Sequence, residues 1–340
     1  MKFYVGDYTR LGGPGVCLCE LEGDALRFLC KGDVCVNEPT YVILSRDQKT
    51  LYATSGTSCD GESTGSIATY DVSHGDLRFT GMHSTGGTAT CHLTLDKDER
   101  FLYAANYLSG SLSVFPVENG RVLPRIQLIE HEGHGPNEKR QERAHVHFVA
   151  FHPEDGRLYA VDLGIDAVMI YRADPETGLL TLDERVDVPA GLGPRHLIFR
   201  DDMMYVAHEL GGAVSAFRRA ESGWKLEQTL STLPEDWQGE NTVAAIRIFR
   251  DRLYVSNRGH NSIAEYRLLE NGLLERVRIF TVFGDFPRDF VVLDDGRILV
   301  ANQESGDVRL LDPSNNAIRQ IGEPLPVGGA VCICPADSVR

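Results

Sequence analysis

Apolar and polar side chains alternate along many short segments of this chain, and one three-residue pattern recurs within them. An aliphatic or aromatic residue is followed by Tyr or Leu and then by Val or Ala. The seven copies lie at Phe3–Val5, Leu51–Ala53, Leu102–Ala104, Leu158–Ala160, Met204–Val206, Leu253–Val255 and Ile298–Val300. Strict alternation predicts half-buried β-strands. Because successive copies stand 45 to 56 residues apart, the repeat is typical of a β-propeller.

The segments around each copy complete a set of four strands. An alternating segment and a polar turn precede the pattern, as at Val146–Phe151, and another alternating segment follows it, as at Ser111–Phe115. Turns such as Glu118–Gly120 then lead into a fourth strand, because Asn-Gly tolerates the positive φ angles of a tight hairpin. Each repeat is therefore predicted as four antiparallel strands, A to D, with the recurring pattern on strand B. No segment shows helical periodicity over more than a few turns.

The two ends of the chain fit a closed ring of such repeats. The copy at Phe3–Val5 lacks a strand A before it, and Gly329–Cys334 has the alternation needed to supply that strand. The first and last segments would then share one blade and close the ring, which removes exposed sheet edges. We therefore predict an all-β fold, a seven-bladed β-propeller of four-stranded antiparallel blades, as a single domain over residues 1–340.

Composition indicates a globular protein with an acidic surface. Apolar residues make up 42% of the chain and charged residues 24%, and 34 basic against 49 acidic residues give a net charge of −15. Attraction to phosphates over long range needs the opposite sign, so neither nucleic acid nor an anionic membrane surface is expected as a partner. The chain begins without an apolar export segment and has no run of about 18 apolar residues, and we expect a cytoplasmic protein.

The cysteines predict reduced, mostly buried thiols. Eight of them lie at positions 17, 19, 30, 35, 59, 91, 332 and 334. Cys17 with Cys19, and Cys332 with Cys334, would share one face of a strand, so a metal site is the alternative to core packing. No C-x-x-C motif or histidine partner accompanies either pair, which favours core packing.

The predicted topology brings particular side chains to one mouth of the central channel. Strand A lines the channel and strand B runs antiparallel to it, so the start of A and the end of B lie at the same face. The starts of A carry His145, His147, Arg195, His196 and Arg288, and the ends of B carry Tyr8, Asn106, Asp162, Glu209, Asn257, Arg258 and Gln303. Arginines converging in an acidic protein indicate an anionic small-molecule ligand, because guanidinium groups bind carboxylate or phosphate bidentately. Ordinary ion pairs at strand ends are the alternative.

Two long connections, 125–144 and 231–243, are predicted to lie over this mouth as a partial lid, or else to be solvated surface loops. The first contains His131 and His134, which together with His145 and His147 suggest zinc. The spacing is not that of the H-E-x-x-H motif, and the segment is Gly-rich and not helical. We therefore predict no metal site, and in the absence of a phosphate-binding loop or Walker motif no cofactor is expected.

Several motifs resemble those of the seven-bladed lactonase family, which includes propeller-type 6-phosphogluconolactonases and carboxy-muconate cyclases. They lie at Gly6–Thr9, Ala105–Tyr107, Arg140–His147, Asp162–Asp166, Gly193–Leu197, His208–Leu210, Thr232–Thr242, Ser256–Ser262, Gly284–Phe290 and Ala301–Gln303. The resemblance runs from residue 1 to about 335. Each motif alone is weak evidence, but together they are specific.

The resemblance implies catalytic roles for four residues of the mouth. The family's proposed catalytic His, Arg, Glu and Arg match His145 (or His147), Arg195, Glu209 and Arg258. We expect the other members of the mouth to bind substrate: His147, His196, Asn106, Asp162, Asn257, Arg288, Gln303 and Tyr8. The family often carries Ala-Glu-Ile where this chain has Ala244–Ile246, so one mouth carboxylate is missing and the identity of the substrate is open.

The predicted activity is metal-independent hydrolysis of a sugar-acid lactone, with 6-phospho-D-glucono-1,5-lactone as the favoured substrate. Ring opening needs an activated water, and His145, His147 or Glu209 is the candidate general base. Arg195 and Arg258 would stabilise the oxyanion and bind the anionic group of the substrate. One alternative is another lactonase or a muconate-type lactonising enzyme on the same scaffold. A second is a non-catalytic propeller that binds a ligand or partner, which would predict a mouth without buried titratable groups.

Overall fold

The fold consists of seven antiparallel sheets, seen in a computed structural model that describes residues 1–34, 36–57, 64–314 and 317–336. Within this part of the chain there are 29 strands, and a 3-10 turn at Thr9–Leu11 is the only helical element. No helix among the described residues is long and apolar enough to cross a membrane.

Each sheet is one blade, and its strands pair in chain order except that β29 pairs with β1 and β12 pairs with β10. Blade 1 holds β1 (Lys2–Asp7), β2 (Cys17–Glu22), β3 (Ala25–Lys31) and the C-terminal β29 (Ala330–Pro335). Blades 2 and 3 hold β4 (Val42–Leu44), β5 (Thr50–Ser55), β6 (Ser66–Asp71) and β7 (Arg78–Ser84), then β8 (Thr90–Leu95), β9 (Phe101–Asn106), β10 (Ser111–Glu118), β11 (Arg121–Val122) and β12 (Gln127–Glu130). Blades 4 and 5 hold β13 (Val146–Phe151), β14 (Leu158–Asp162), β15 (Ala167–Ala173) and β16 (Leu180–Asp187), then β17 (Pro194–Arg200), β18 (Met203–His208), β19 (Ala213–Ala220) and β20 (Gly223–Ser231). Blades 6 and 7 hold β21 (Thr242–Phe249), β22 (Arg252–Arg258), β23 (Ser262–Leu268) and β24 (Leu274–Thr281), then β25 (Pro287–Val292), β26 (Ile298–Asn302), β27 (Asp307–Asp312) and β28 (Arg319–Pro326).

The predicted closure of the ring is confirmed. β29 pairs antiparallel with β1, with Tyr4 opposite Cys334 and Val5 opposite Ile333. The sheet order is β29-β1-β2-β3, so the C-terminal strand supplies the inner strand that the N-terminal segment lacks. The all-β class and the seven blades are confirmed as well.

The two long connections are shorter than predicted. β12 continues blade 3 by pairing with Ser111–Val114, so the first connection begins after Glu130. Pro124 lies between β11 and β12, where the missing backbone N–H of proline interrupts the outer strand. The second connection spans residues 232–241, between β20 and β21.

The recurring tyrosine of strand B links one blade to the next at three places. The hydroxyl groups of Tyr52, Tyr103 and Tyr205 donate to backbone carbonyls in the following blade, those of Gly120, Gly178 and Gly272, at 3.1, 3.1 and 2.7 Å. The rings themselves are buried between the sheets. The core is therefore divided among the contacts between neighbouring blades, which explains why the same pattern recurs along the chain.

A β-bulge interrupts the start of the inner strand in several blades. The pairing with strand B skips one residue in four of them: Cys91, His147, Arg195 and Arg288. A bulge redirects a side chain that strand alternation would otherwise turn elsewhere. These four bulged residues lie at the end of the channel where the sequence predicted the mouth.

The cysteines pack as small apolar groups where the structure describes them. Cys17, Cys19 and Cys332 are buried, and Cys17 Sγ lies 3.9 Å from Cys19 Sγ without a disulfide. Cys35 and Cys59 lie outside the described residues.

Candidate active site

A cavity of about 720 Å³ opens at the predicted mouth of the channel. Five of the residues predicted from sequence line it: Tyr8, His147, Glu209, Arg258 and Arg288. The volume is in the range of sites that hold a small molecule, which is about 300–1,000 Å³.

Glu209 lies at the centre of a cluster of guanidinium groups. Its Oε1 accepts a hydrogen bond from Arg140 at 2.5 Å, and its Oε2 accepts from Arg195 at 3.0 Å and from Arg258 at 2.8 Å. Burial raises the pKa of Glu209, but the charges of Arg258 and Arg195 outweigh burial and hold that pKa well below its usual range. Glu209 is therefore an ionised carboxylate, and both its oxygens are engaged.

Arg195 lies behind the cavity wall, between Glu209 and the interior of the channel. Its Nη1 donates to His196 Nε2 at 3.0 Å. A guanidinium group has no acceptor, so His196 must carry its own proton on Nδ1. Burial, and next the charge of Arg195, hold the pKa of His196 well below its usual value, which keeps this imidazole neutral.

His147 is the neutral base that faces the cavity. Burial, followed by the charge of Arg195, holds the pKa of His147 well below its usual value. Its Nδ1 is buried and has no hydrogen-bond partner among the described protein groups, and the residue lines the cavity. An unprotonated imidazole in this position can accept a proton from a water molecule.

His145 lies outside the cavity wall. Its ring stacks on Tyr107 with the centroids 4.5 Å apart, and its Nδ1 lies 2.9 Å from the Tyr107 backbone oxygen. Its Nε2 lies 3.2 Å from Glu142. These contacts let His145 support Tyr107, which does line the cavity.

Three further predicted residues are engaged in supporting the loops. Asn106 accepts a hydrogen bond from Thr90 Oγ1 at 2.7 Å, and Asn257 accepts from Thr232 Oγ1 at 2.7 Å. Asp162 accepts from the backbone N–H of His145 at 2.7 Å. All three are fully buried and lie outside the cavity lining, so they support the loops and do not face a ligand there.

The last two predicted residues touch the wall from behind. Gln303 accepts a long hydrogen bond from Arg288 at 3.4 Å and donates to Glu304 at 2.6 Å. His196 meets His147 edge to face, with the ring centroids 5.3 Å apart.

Sequence reasoning assigned no site role to Arg140, although the residue begins one of the family motifs. Arg140 lies on the connection after β12 and reaches across the mouth to Glu209, and its Nη2 also donates to the Tyr107 hydroxyl at 3.2 Å. The sequence predicted that this connection lies over the mouth, and an arginine on it could have been recognised as a candidate site residue for that reason. The bulged Cys91 also lines the cavity, but burial raises the pKa of its thiol to about 12, so it is no thiolate nucleophile.

The histidines that suggested zinc do not converge. His131 Nδ1 lies 2.7 Å from Asp162 and its Nε2 lies 2.8 Å from the Tyr171 hydroxyl, while His134 is exposed. Among the described residues no group of three His, Cys, Asp or Glu side chains is placed to hold a metal ion.

Positive charge exceeds negative charge along the cavity wall. Its charged lining residues are Arg10, Arg140, Arg258, Arg288, Glu38 and Glu209. The chain as a whole has a net charge of −15, so this surplus is local. Its sign is the one that attracts anions.

Comparison with known proteins agrees with this architecture. The sequence profile of the family described as lactonase, 7-bladed beta-propeller, matches residues 2–335. The chain is 32% identical over 344 residues to the 6-phosphogluconolactonase of Bacillus subtilis strain 168, which covers 97% of this chain and 96% of that protein.

Two solved structures share the fold over nearly the whole chain. One is a periplasmic gluconolactonase of Pseudomonas aeruginosa, with a TM-score of 0.89, 28% identity and 98% of each chain covered. The other is a protein of Lactobacillus plantarum, with a TM-score of 0.89, 27% identity and 98% of each chain covered. With its seven closed blades and its arginine-lined mouth, this chain belongs to the seven-bladed β-propeller lactonase family, and it is a lactonase.

Proposed function

We propose that this lactonase hydrolyses 6-phospho-D-glucono-1,5-lactone to 6-phosphogluconate, a step of the pentose phosphate pathway. The observation that carries the proposal is a cavity with surplus arginine and one neutral imidazole, in a chain that is otherwise acidic. The name of the Bacillus subtilis relative supports the same substrate. Because such a sugar phosphate is formed inside cells, we also place the enzyme in the cytoplasm.

In the proposed reaction His147 acts first as base and then as acid. Its Nε2 accepts a proton from a water molecule while the water oxygen attacks C1 of the lactone. The carbonyl oxygen becomes an oxyanion, which Arg258 and Arg140 stabilise from the cavity wall. The bond between C1 and the ring oxygen then breaks, and the protonated His147 returns its proton to the departing alkoxide. One water is consumed and one carboxylic acid is formed, using only protein groups and water.

Glu209 and Arg195 act in this proposal as positioning residues. Glu209 is a weak base, because the charges of Arg258 and Arg195 outweigh burial and hold its pKa well below its usual range. The carboxylate instead fixes Arg258 and Arg140 at the site of the oxyanion. Arg195 fixes Glu209 from behind the wall, and His145 supports Tyr107.

A second candidate substrate is unphosphorylated glucono-1,5-lactone. The observation in its favour is the Pseudomonas aeruginosa structure, which is named a gluconolactonase and shares 28% of its sequence with this chain.

The test is hydrolysis of fresh 6-phospho-D-glucono-1,5-lactone, followed above its spontaneous rate. We expect His147→Gln and Arg258→Met each to lower kcat/KM about 100-fold or more, the usual effect of removing a general base or an oxyanion donor. His134→Gln is the matched control, because it removes an exposed imidazole near the same mouth, and it should retain the wild-type rate. A folded wild-type protein that does not exceed the spontaneous rate would exclude this substrate, and an active His147→Gln variant would exclude His147 as the base.

A further inference from the structure

Arg288 is the cavity arginine that has no acidic partner among the described residues. Within the described residues Arg10 pairs with Glu38, and Arg140 and Arg258 pair with Glu209. Arg288 makes only the long hydrogen bond to Gln303 described above. Its place in a β-bulge keeps the guanidinium group half-buried in the cavity wall, where no carboxylate in the described part of the chain pairs with it.

The ring of Tyr8 brings a second guanidinium group to the same end of the cavity. The Cζ atoms of Arg288 and Arg10 lie 5.3 and 3.8 Å from the ring centroid. An aromatic face orients guanidinium groups and leaves their N–H edges free to bind. The Arg10 side chain is exposed although it pairs with Glu38. An exposed ion pair is weak, so an incoming anion can compete with Glu38 for Arg10.

We propose that Arg288, together with Arg10 and Tyr8, forms the seat for the phosphate group of the substrate. The assignment rests on the proposed function and separates two ends of one cavity. At the Glu209 end the arginines are already paired with a carboxylate and serve the oxyanion. At the Tyr8 end a phosphate monoester carries a charge of about −1.5 to −2 at neutral pH. It meets Arg288, which has no acidic partner among the described residues, and Arg10, whose ion pair with Glu38 it can replace.

The seat is coupled to the proposed base by charge. After burial and Arg195, the charge of Arg288 is one of those that lower the pKa of His147. A phosphate bound to Arg288 offsets part of this effect.

The experiment measures the preference of the enzyme for the phosphorylated lactone, as the ratio of kcat/KM for 6-phospho-D-glucono-1,5-lactone to kcat/KM for glucono-1,5-lactone. Arg288→Met should lower this ratio about 10- to 100-fold, the loss expected for one charge-assisted hydrogen bond. Arg288→Lys keeps the charge and should retain part of the preference. Arg267→Met removes an exposed arginine elsewhere on blade 6 and should leave the ratio at the wild-type value.

A binding measurement separates failure of the seat from failure of the proposed function. Titration calorimetry with 6-phosphogluconate and with gluconate needs no turnover, and only the phosphorylated acid should lose affinity in Arg288→Met. If the wild type hydrolyses neither lactone but Arg288→Met weakens 6-phosphogluconate selectively, the proposed function fails and the seat stands. If Arg288→Met and Arg288→Lys change both lactones and both acids by the same factor, the seat is overturned, whatever the wild-type activity.

Discussion

Asp7 occupies the end of strand B in blade 1. The equivalent position holds Asn106, Asn257 and Asn302 in blades 3, 6 and 7, and Asp162 in blade 4. Asp7 differs from the asparagines in having a carboxyl group that can titrate. The carboxyl group is fully buried; its Oδ1 accepts from the Gly15 N–H at 3.2 Å, and its Oδ2 has no partner among the described groups. Burial raises its pKa from 3.8 to about 8.

This pKa predicts a pH-dependent loss of stability that Asp7→Asn removes. The native state keeps the proton between pH values of about 4 and about 8, where the unfolded chain has lost it, so the contribution of Asp7 falls as the pH rises through about 8. Asp7→Asn should therefore raise the free energy of unfolding at pH 9 by about 1–3 kcal/mol, the range for an unsatisfied buried polar group. Denaturant unfolding at pH 5, 7 and 9 measures this, with the exposed Asp98→Asn as control. A stability difference that does not grow with pH would contradict the buried, protonated state.

At the scale of strands and turns, the link between blades consists of a tyrosine and a glycine. Tyr103 of blade 3 donates to the carbonyl of Gly178, which turns blade 4 from β15 to β16. Gly178 has a φ of +71°, and a Cβ there would come within 2.3 Å of Phe101. The turn can approach the neighbouring blade this closely because the residue has no side chain.

Gly178→Ala should therefore cost more than the same change at a glycine of similar backbone. Gly156 has a φ of +66° and open space around its Cβ position, so Gly156→Ala introduces backbone strain alone. We expect Gly178→Ala to lower the free energy of unfolding by about 1–3 kcal/mol more than Gly156→Ala, the cost of crowding a packed site. Chemical denaturation of the two variants in parallel provides the measurement. Equal losses would show that the turn can move away from blade 3.

At the scale of the whole molecule, the ring depends on a strand from the far end of the chain. β29 pairs with β1 and also contacts the inner strands of blades 2 and 7. The backbone N–H of Ile333 donates to Asp289 of blade 7 at 2.9 Å. Without β29, β1 would present an open edge to the channel.

A chain that ends at Gly329 should lose cooperative folding. It lacks the inner strand of blade 1, so we expect a lower Tm or association through the open edge, seen by calorimetry and by size-exclusion chromatography. A synthetic peptide of residues 328–336, added in excess, should restore the transition towards that of the full chain, and a scrambled peptide should not. An unchanged Tm without the peptide would show that closure contributes little to stability.

The predicted site and the observed site overlap because strand pairing alone limits which residues reach the mouth. His147, Glu209, Arg258, Arg288 and Tyr8 line the cavity as the strand order requires. Residues such as Asn106 and His145 reach the same face but turn into the loops. Which of two neighbouring residues faces the cavity depends on a bulge, and no residue type marks a bulge of this kind.

The sequence by itself determined the number of blades, their strand order and the closure by the C-terminal strand. These follow from an alternation that each blade must keep to bury its faces against two neighbours, and such a local constraint is repeated visibly along the chain. Contacts formed only in the folded ring decide that Arg140 reaches Glu209, that His147 and not His145 faces the cavity, and that Arg288 has no acidic partner among the described residues. Those facts depend on contacts between residues from different blades, whose distances are set when the ring closes and which leave no periodic trace in the sequence.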